Sequence, residues 1–192
     1  MSYLDAINEI LLNAGQLPVN SLVSVPSVDK ATAILNSTSR QVQSQGWNFN
    51  TDKSLSLPPD ASGNIIVPQD TMTVDTVGSD LNTGVTLRGN ILRKTNRYDG
   101  TDPEFFSAAV FVDLVHYFDF EVIPQVARYY ITIKAARRFA DSFLASGTIH
   151  NFTAQEESTA LQDLEEAEGA EGDFNMLTNV SFIRRRTVSG GR

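Results

Sequence analysis

The chain of 192 residues contains no cysteine, which removes disulfide staples, thiolate metal sites and cysteine nucleophiles together. It has no apolar run near the ~18 residues that a membrane span requires. Its first residues, MSYLDAINEILLNAG, lack the basic flank and cleavage site of a secretory signal. A soluble product of the cytosol is therefore expected. Walker A loop, Rossmann glycine fingerprint, nucleophile elbow and HExxH helix are all missing. Histidine is scarce too: His116 and His150 stand alone in the sequence, without the convergent partners that metal or triad chemistry needs. Both read as structural or exposed, and no cofactor, metal site or catalytic residue is expected.

What is present is an ordinary apolar content of 41% and a net charge of -8. The length suits one domain over residues 1–192, large enough to fold around its own core. The acidity is unevenly spread. Residues 1–150 carry 15 acidic and 11 basic side chains, residues 151–173 carry 8 acidic and none basic, and residues 174–192 carry 4 basic and none acidic. Such a polarised end usually meets a partner or a neighbouring copy.

Two helices are expected in residues 1–46. Ser2 and Asp5 make a weak capping box ahead of Leu4, Ile7, Leu11 and Ala14, and Gly15 and Pro18 close the first. The second starts at Ser27 after Pro26, with Val28, Ala31, Leu35, Thr38 and Val42 inward, Ser37, Ser39, Gln41, Gln43 and Ser44 opposite, and Gly46 as its stop. Residues 47–118 change to short alternating runs bounded by turns, an antiparallel β module whose clearest signal is a tight hairpin at Arg88-Gly89-Asn90-Ile91. Helix returns over residues 119–172. One segment runs from Glu121 to Ser146, with Pro124 in its first turn and Val126, Tyr130, Ile133, Ala136, Ala140, Phe143 and Leu144 on an apolar face. Another opens at the capping box Thr153–Glu156 and turns Ala154, Leu161, Leu164 and Ala167 inward. Residues 173–192 hold no helical period and read as an extended C-terminal arm. The fold class is α+β: a four-helix bundle of N- and C-terminal helices carrying an inserted antiparallel β module.

Candidate chemistry is sparse. Asp99, Asp102, Glu104 and Asp113 fall at turns and sheet edges where a glycosidase-like carboxylate pair would sit, but a chain holding 23 acids scatters such groups by chance. Arg88, Arg93, Lys94 and Arg97 beside Tyr98 read as a charged sheet rim rather than a phosphate site; tight duplex binding is disfavoured in so acidic a chain. Arg137-Arg138 reads as a solvated helix face. Phe105, Phe106, Phe111, Phe118, Phe120, Tyr129, Tyr130, Phe139 and Phe143 read mainly as core, the excess being available to a subunit interface. In the arm, Phe182 and Ile183 beside Arg184, Arg185 and Arg186 set apolar anchors next to guanidinium forks, the chemistry of a segment that docks on an acidic partner.

The blocks AINEILLNAGQLPVNSL, RQVQSQGWNFN, FEVIPQVARYYITIKAARRFADSF and the acidic helix ending GDFNMLTN occur in an order that resembles tail tubular protein A of short-tailed bacteriophages. That resemblance implies a structural virion protein without enzymatic activity, made in the host cytoplasm and placed in the tail at the head–tail junction. It implies a homo-oligomeric ring of twelve copies joining the portal protein to the tail nozzle, tail tubular protein B, with tail fibres seated at its rim. Genomic DNA would pass the lumen during ejection without tight binding. A polysaccharide-degrading side activity is the alternative.

Overall fold

The computed structural model describes residues 1–23, 25–81, 83–95, 105–142 and 147–171, with side chains in the last helix described from 154 to 170. Among the described residues the architecture is α+β: four α-helices and two three-stranded antiparallel sheets.

Helix α1 (Tyr3–Asn13) begins as its capping box dictates, Asp5 N–H donating to Ser2 Oγ and Ser2 N–H to the Asp5 carboxylate. Its buried residues are Ala6, Ile7, Ile10 and Leu11, so the inward stripe is wider than expected and Leu4 lies at its margin. Helix α2 (Pro26–Gln43) starts on Pro26, where the missing N–H costs nothing, and buries all five residues of the expected stripe. It also buries Ser39 and Gln43, which periodicity assigns to the polar face.

Helix α3 (Gln125–Asp141) begins later than expected, because Pro124 is extended and caps the helix from outside. Ala127, Tyr130, Ile131, Thr132, Ile133, Ala135, Ala136, Phe139 and Ala140 are all buried. Those positions go round the helix rather than along one face, since α3 packs against α1, α2 and the last helix, α4 (Gly147–Glu171). Phe143 and Leu144 lie outside the described residues. Helix α4 opens six residues before the expected capping box, which therefore falls inside it. Ala160 and Leu164 are its buried residues, with Ala154, Leu161 and Ala167 at the margin of the contact. One apolar core joins residues of all four helices with Phe120, Ile123 and, at its edge, Trp47, Phe49 and Phe118.

A 3₁₀ turn (Asn48–Asn50) leads into strand β1 (Thr51–Leu57). There follow β2 (Ile65–Ile66), β3 (Thr71–Thr76), β4 (Val85–Arg88), β5 (Ile91–Lys94) and β6 (Val110–His116). One sheet has the order β1-β6-β3 and the other β2-β5-β4. The expected hairpin joins β4 to β5, with Arg88 opposite Ile91 and Gly89 at φ 66°, a value that glycine adopts without steric cost. Val110, Val112 and Leu114 of β6 meet Ile65, Val67, Leu92 and Phe106 in a second, smaller core between the sheets. Gly63 (φ 80°) lets the chain pass beneath Phe105: a Cβ there would lie 2.9 Å from Phe105 Cβ and 3.1 Å from the Phe106 carbonyl oxygen.

Candidate functional site: the joint and the acidic helix

The sheet module meets the helices at a joint built from buried amides. Gln43 is fully buried at the end of α2, and its Nε2 donates to the Phe118 carbonyl at 2.8 Å while its Oε1 accepts the Phe118 N–H at 2.8 Å. The same Nε2 reaches Ser39 Oγ at 3.0 Å, which explains why this serine is inside as well. Asn50 donates through Nδ2 to the carbonyls of Gln43 (2.9 Å) and His116 (2.7 Å) and accepts the Trp47 N–H at 2.9 Å. Trp47 Nε1 donates to the Val42 carbonyl at 2.9 Å. The end of α2, the start of β1 and the end of β6 are thereby held by directional bonds around two buried amides, where a lost partner costs ~1–3 kcal/mol per stranded group. Sequence periodicity missed this site because glutamine and asparagine look like surface residues until both amide ends are matched. The signal available was the clustering of Gln43, Trp47 and Asn50 at the helix-to-strand transition.

His116 closes the joint. It is buried, stacks on Phe118 with ring centroids 6.0 Å apart, and has Asp52 Oδ2 at 3.3 Å from Nε2 and Asp70 Oδ1 at 3.4 Å from Nδ1. Its two carboxylate neighbours lie on opposite ring edges, so the three groups do not converge on one point. Among the described residues no group of three metal-ligating side chains is placed to hold an ion. His150 has no described side chain.

The basic pairs behave differently from expectation. Arg137 is only partly solvated: its Nη1 donates to Glu157 Oε2 of α4 at 2.8 Å, and Lys134 Nζ stands 3.5 Å from Glu157 Oε1. Arg138, though exposed, donates to Thr38 Oγ1 of α2 at 2.7 Å. A helix surrounded by three others has no broad solvent face to offer, so both arginines become ties between helices. Burial pulls the Lys134 pKa down, but the hydrogen bond and charge of Tyr130 and the Glu157 carboxylate outweigh it, and the net shift is upward. On the sheet rim Arg93 lies over the Phe105 ring at 5.1 Å and Lys94 over Phe106 at 5.2 Å, so those cations cover apolar rings. Arg97 and Tyr98 lie outside the described residues.

The acidic helix divides into two sets. Glu156 accepts from Tyr129 Oη at 3.3 Å, Glu157 holds Lys134 and Arg137, and Glu168 accepts the Asn48 N–H and, through its backbone carbonyl, Asn48 Nδ2 at 3.1 Å. These three fasten α4 to α3 and to the turn that precedes β1. Asp163, Glu165 and Glu166 are exposed. Burial, and after it the Glu156 carboxylate, raises the Tyr129 pKa, with Glu9 and Asp163 adding smaller contributions.

Of the carboxylates weighed as a glycosidase pair, Asp99, Asp102 and Glu104 lie outside the described residues. Asp113 stands opposite Asp75 in the β3–β6 register and accepts the Ser54 N–H at 2.8 Å. Of the aromatic cluster, Phe106, Phe120, Tyr130 and Phe139 are buried, whereas Phe105 and Phe111 are each 44% exposed on the β module. Phe182, Ile183, Arg184, Arg185 and Arg186 lie outside the described residues. No described helix is long and apolar enough to cross a membrane.

Together these features define a class: an α+β chain whose helical layer carries a β module on a buried, amide-clamped joint. The chain belongs to the tail tubular protein family, whose family model matches residues 4–174. It is a structural component of a phage tail, part of the virion. No curated protein matches it.

Proposed function

We propose that this chain is the head-to-tail adaptor of a short-tailed phage, the type A member of its family, working as one adaptor domain over residues 1–192. Twelve copies form a ring that joins the portal protein to the tail nozzle, tail tubular protein B, seats the tail fibres at its rim and passes genomic DNA during ejection. The family match over residues 4–174 carries this reading. It is supported by helices at both ends of the chain sharing one core, the bundle-with-insertion plan expected of such an adaptor. A closed ring demands heterologous contacts, in which one surface of a copy meets a different surface of the next. The acidic helix and the basic arm are two such surfaces on one chain.

In this reading Phe182 and Ile183 anchor the arm on a neighbouring subunit or the portal, and Arg184, Arg185 and Arg186 steer its approach. The exposed acids Asp163, Glu165 and Glu166 suit a conduit wall that does not hold its cargo, since a wall that released DNA counterions would bind DNA instead of passing it. Electron microscopy of the chain assembled on portal should show a twelvefold ring with α4 towards the lumen; α4 on the outer surface would remove the conduit role. Deleting residues 181–192 should abolish attachment to portal, and unchanged attachment would remove the arm's role.

A further inference from the structure

Strand β1 is the most open element of the fold. Asp52, Lys53, Ser54, Leu55 and Ser56 are all exposed, and β1 is the outer strand of the order β1-β6-β3. One row of its backbone N–H and C=O groups thus has no strand beside it among the described residues. Such an edge is a template for an added strand. It is also guarded: the register shifts between Asp52 and Leu55 around Ser54 at φ 55°, and Lys53 folds back to donate to Asn48 Oδ1 at 2.6 Å. A bulge and a charge disfavour indiscriminate pairing, which leaves the edge to a strand of matching length and charge.

The arm supplies one. In NMLTNVSFIRRR, Met176, Thr178, Val180 and Phe182 alternate with Leu177, Asn179, Ser181 and Ile183 ahead of the three arginines. Eight extended residues cover about 23 Å from first to last, against about 20 Å for the seven of β1. Charge decides the direction. The Thr51 end of β1 adjoins Asp52, and the turn before it is fastened to Glu168, one helical turn from the exposed Glu165. Beyond the other end, residues 57–67 hold a single acid, Asp60, which accepts the N–H groups of Ser62 and Asn64. An antiparallel arm brings Arg184–Arg186 to the acidic end, and a parallel one carries them away from it.

Chain length then decides the source. Because α4 ends beside the Thr51 end of β1, an antiparallel arm of the same chain would have to run out along the strand before pairing on its return. The five steps from Glu171 to Met176 span at most ~18 Å, while the strand to be bypassed is about 20 Å from Thr51 to Leu57. We propose that the free edge of β1 is the seat of the arm of a second copy, with residues 176–183 adding an antiparallel strand and Arg184–Arg186 meeting Asp52, Glu165 and Glu168. This rests on the reading above that the arm binds a partner.

The absence of cysteine makes the test clean. Ser56→Cys is combined, in separate full-length chains assembled on portal, with Thr178→Cys, Asn179→Cys or Ser181→Cys, each single variant serving as background. Intermolecular disulfides are expected with position 178 or 179, at least fivefold above position 181, and replacing the three arginines by serine should lower their yield about tenfold at low salt. A link that forms only when both cysteines are placed in the same chain, or none above the single-cysteine background, would overturn the seat. Lost portal attachment on arm deletion without any link to β1 would leave the arm's partner role standing and remove only this seat; unchanged attachment together with the link would keep the seat and remove only the arm's part in holding the portal.

Discussion

The helical layer and the β module solve the problem of burial in opposite ways. Around α3 the chain wraps three other helices, so small residues such as Ala127, Ala135 and Ala136 sit beside Tyr130 and Phe139 with almost no solvent contact. The β module has only a handful of fully buried side chains between two short sheets, and it leaves β1, Phe105 and Phe111 in the open. The first is a platform and the second an exposed attachment. What unites them is polar: Gln43 and Asn50, rather than a continuous apolar core, set the angle between the parts. Apolar contacts tolerate sliding, whereas paired amide bonds fix both distance and direction.

The contrast can be broken or sharpened by mutation. The largest effect is expected for Phe139→Ala, which opens a cavity in the helical layer at a cost of about 3–5 kcal/mol, measured by urea unfolding. Leu92→Ala in the module should cost less, about 2–4 kcal/mol, with faster hydrogen exchange in β2, β4, β5 and β6 while α1 and α3 keep their protection. Equal loss of protection in the helices would mean that the two parts unfold as one.

Gln43→Ala strands both backbone groups of Phe118 and should cost about 2–3 kcal/mol. Its mark is a split unfolding curve, because the module would melt apart from the helices; a single transition of unchanged slope would show that the clamp does not couple them. Gly63→Ala should cost about 1–2 kcal/mol, through its positive φ and the clash beneath Phe105. Glu157→Gln should cost about 0.5–1 kcal/mol, since its partners Lys134 and Arg137 are partly solvated.

The smallest effect is expected at Asp5. The Ser2 N–H and hydroxyl hold its carboxyl below the ordinary value of 3.8, so its contribution is complete above that pH and is lost as pH falls through the lowered value. Asp5→Asn should therefore lower the neutral plateau slightly, leave stability at low pH nearly unchanged, and so flatten the acid limb of the stability curve. An equal change at neutral and at low pH would contradict the cap.

The sequence by itself determined the α+β class, the α2 stripe, the capping box of α1, the β4–β5 hairpin and the confinement of the described strands to residues 47–118, because those features depend on residues a few positions apart. It also marked the polarised end, since charge is counted without knowing the fold. Helix limits were legible less well: Thr153–Glu156 reads as a start, yet the helix begins at Gly147. Only the tertiary structure decided that α3 is buried on several sides, which made ties of the half-buried Arg137 and of Arg138, exposed as expected. The same holds for Gln43, Asn50 and the free edge of β1. Gln43 and Asn50 depend on Phe118 and His116, partners up to 75 positions away, and the free edge on the lack of a neighbouring strand among the described residues, none of which a local period encodes.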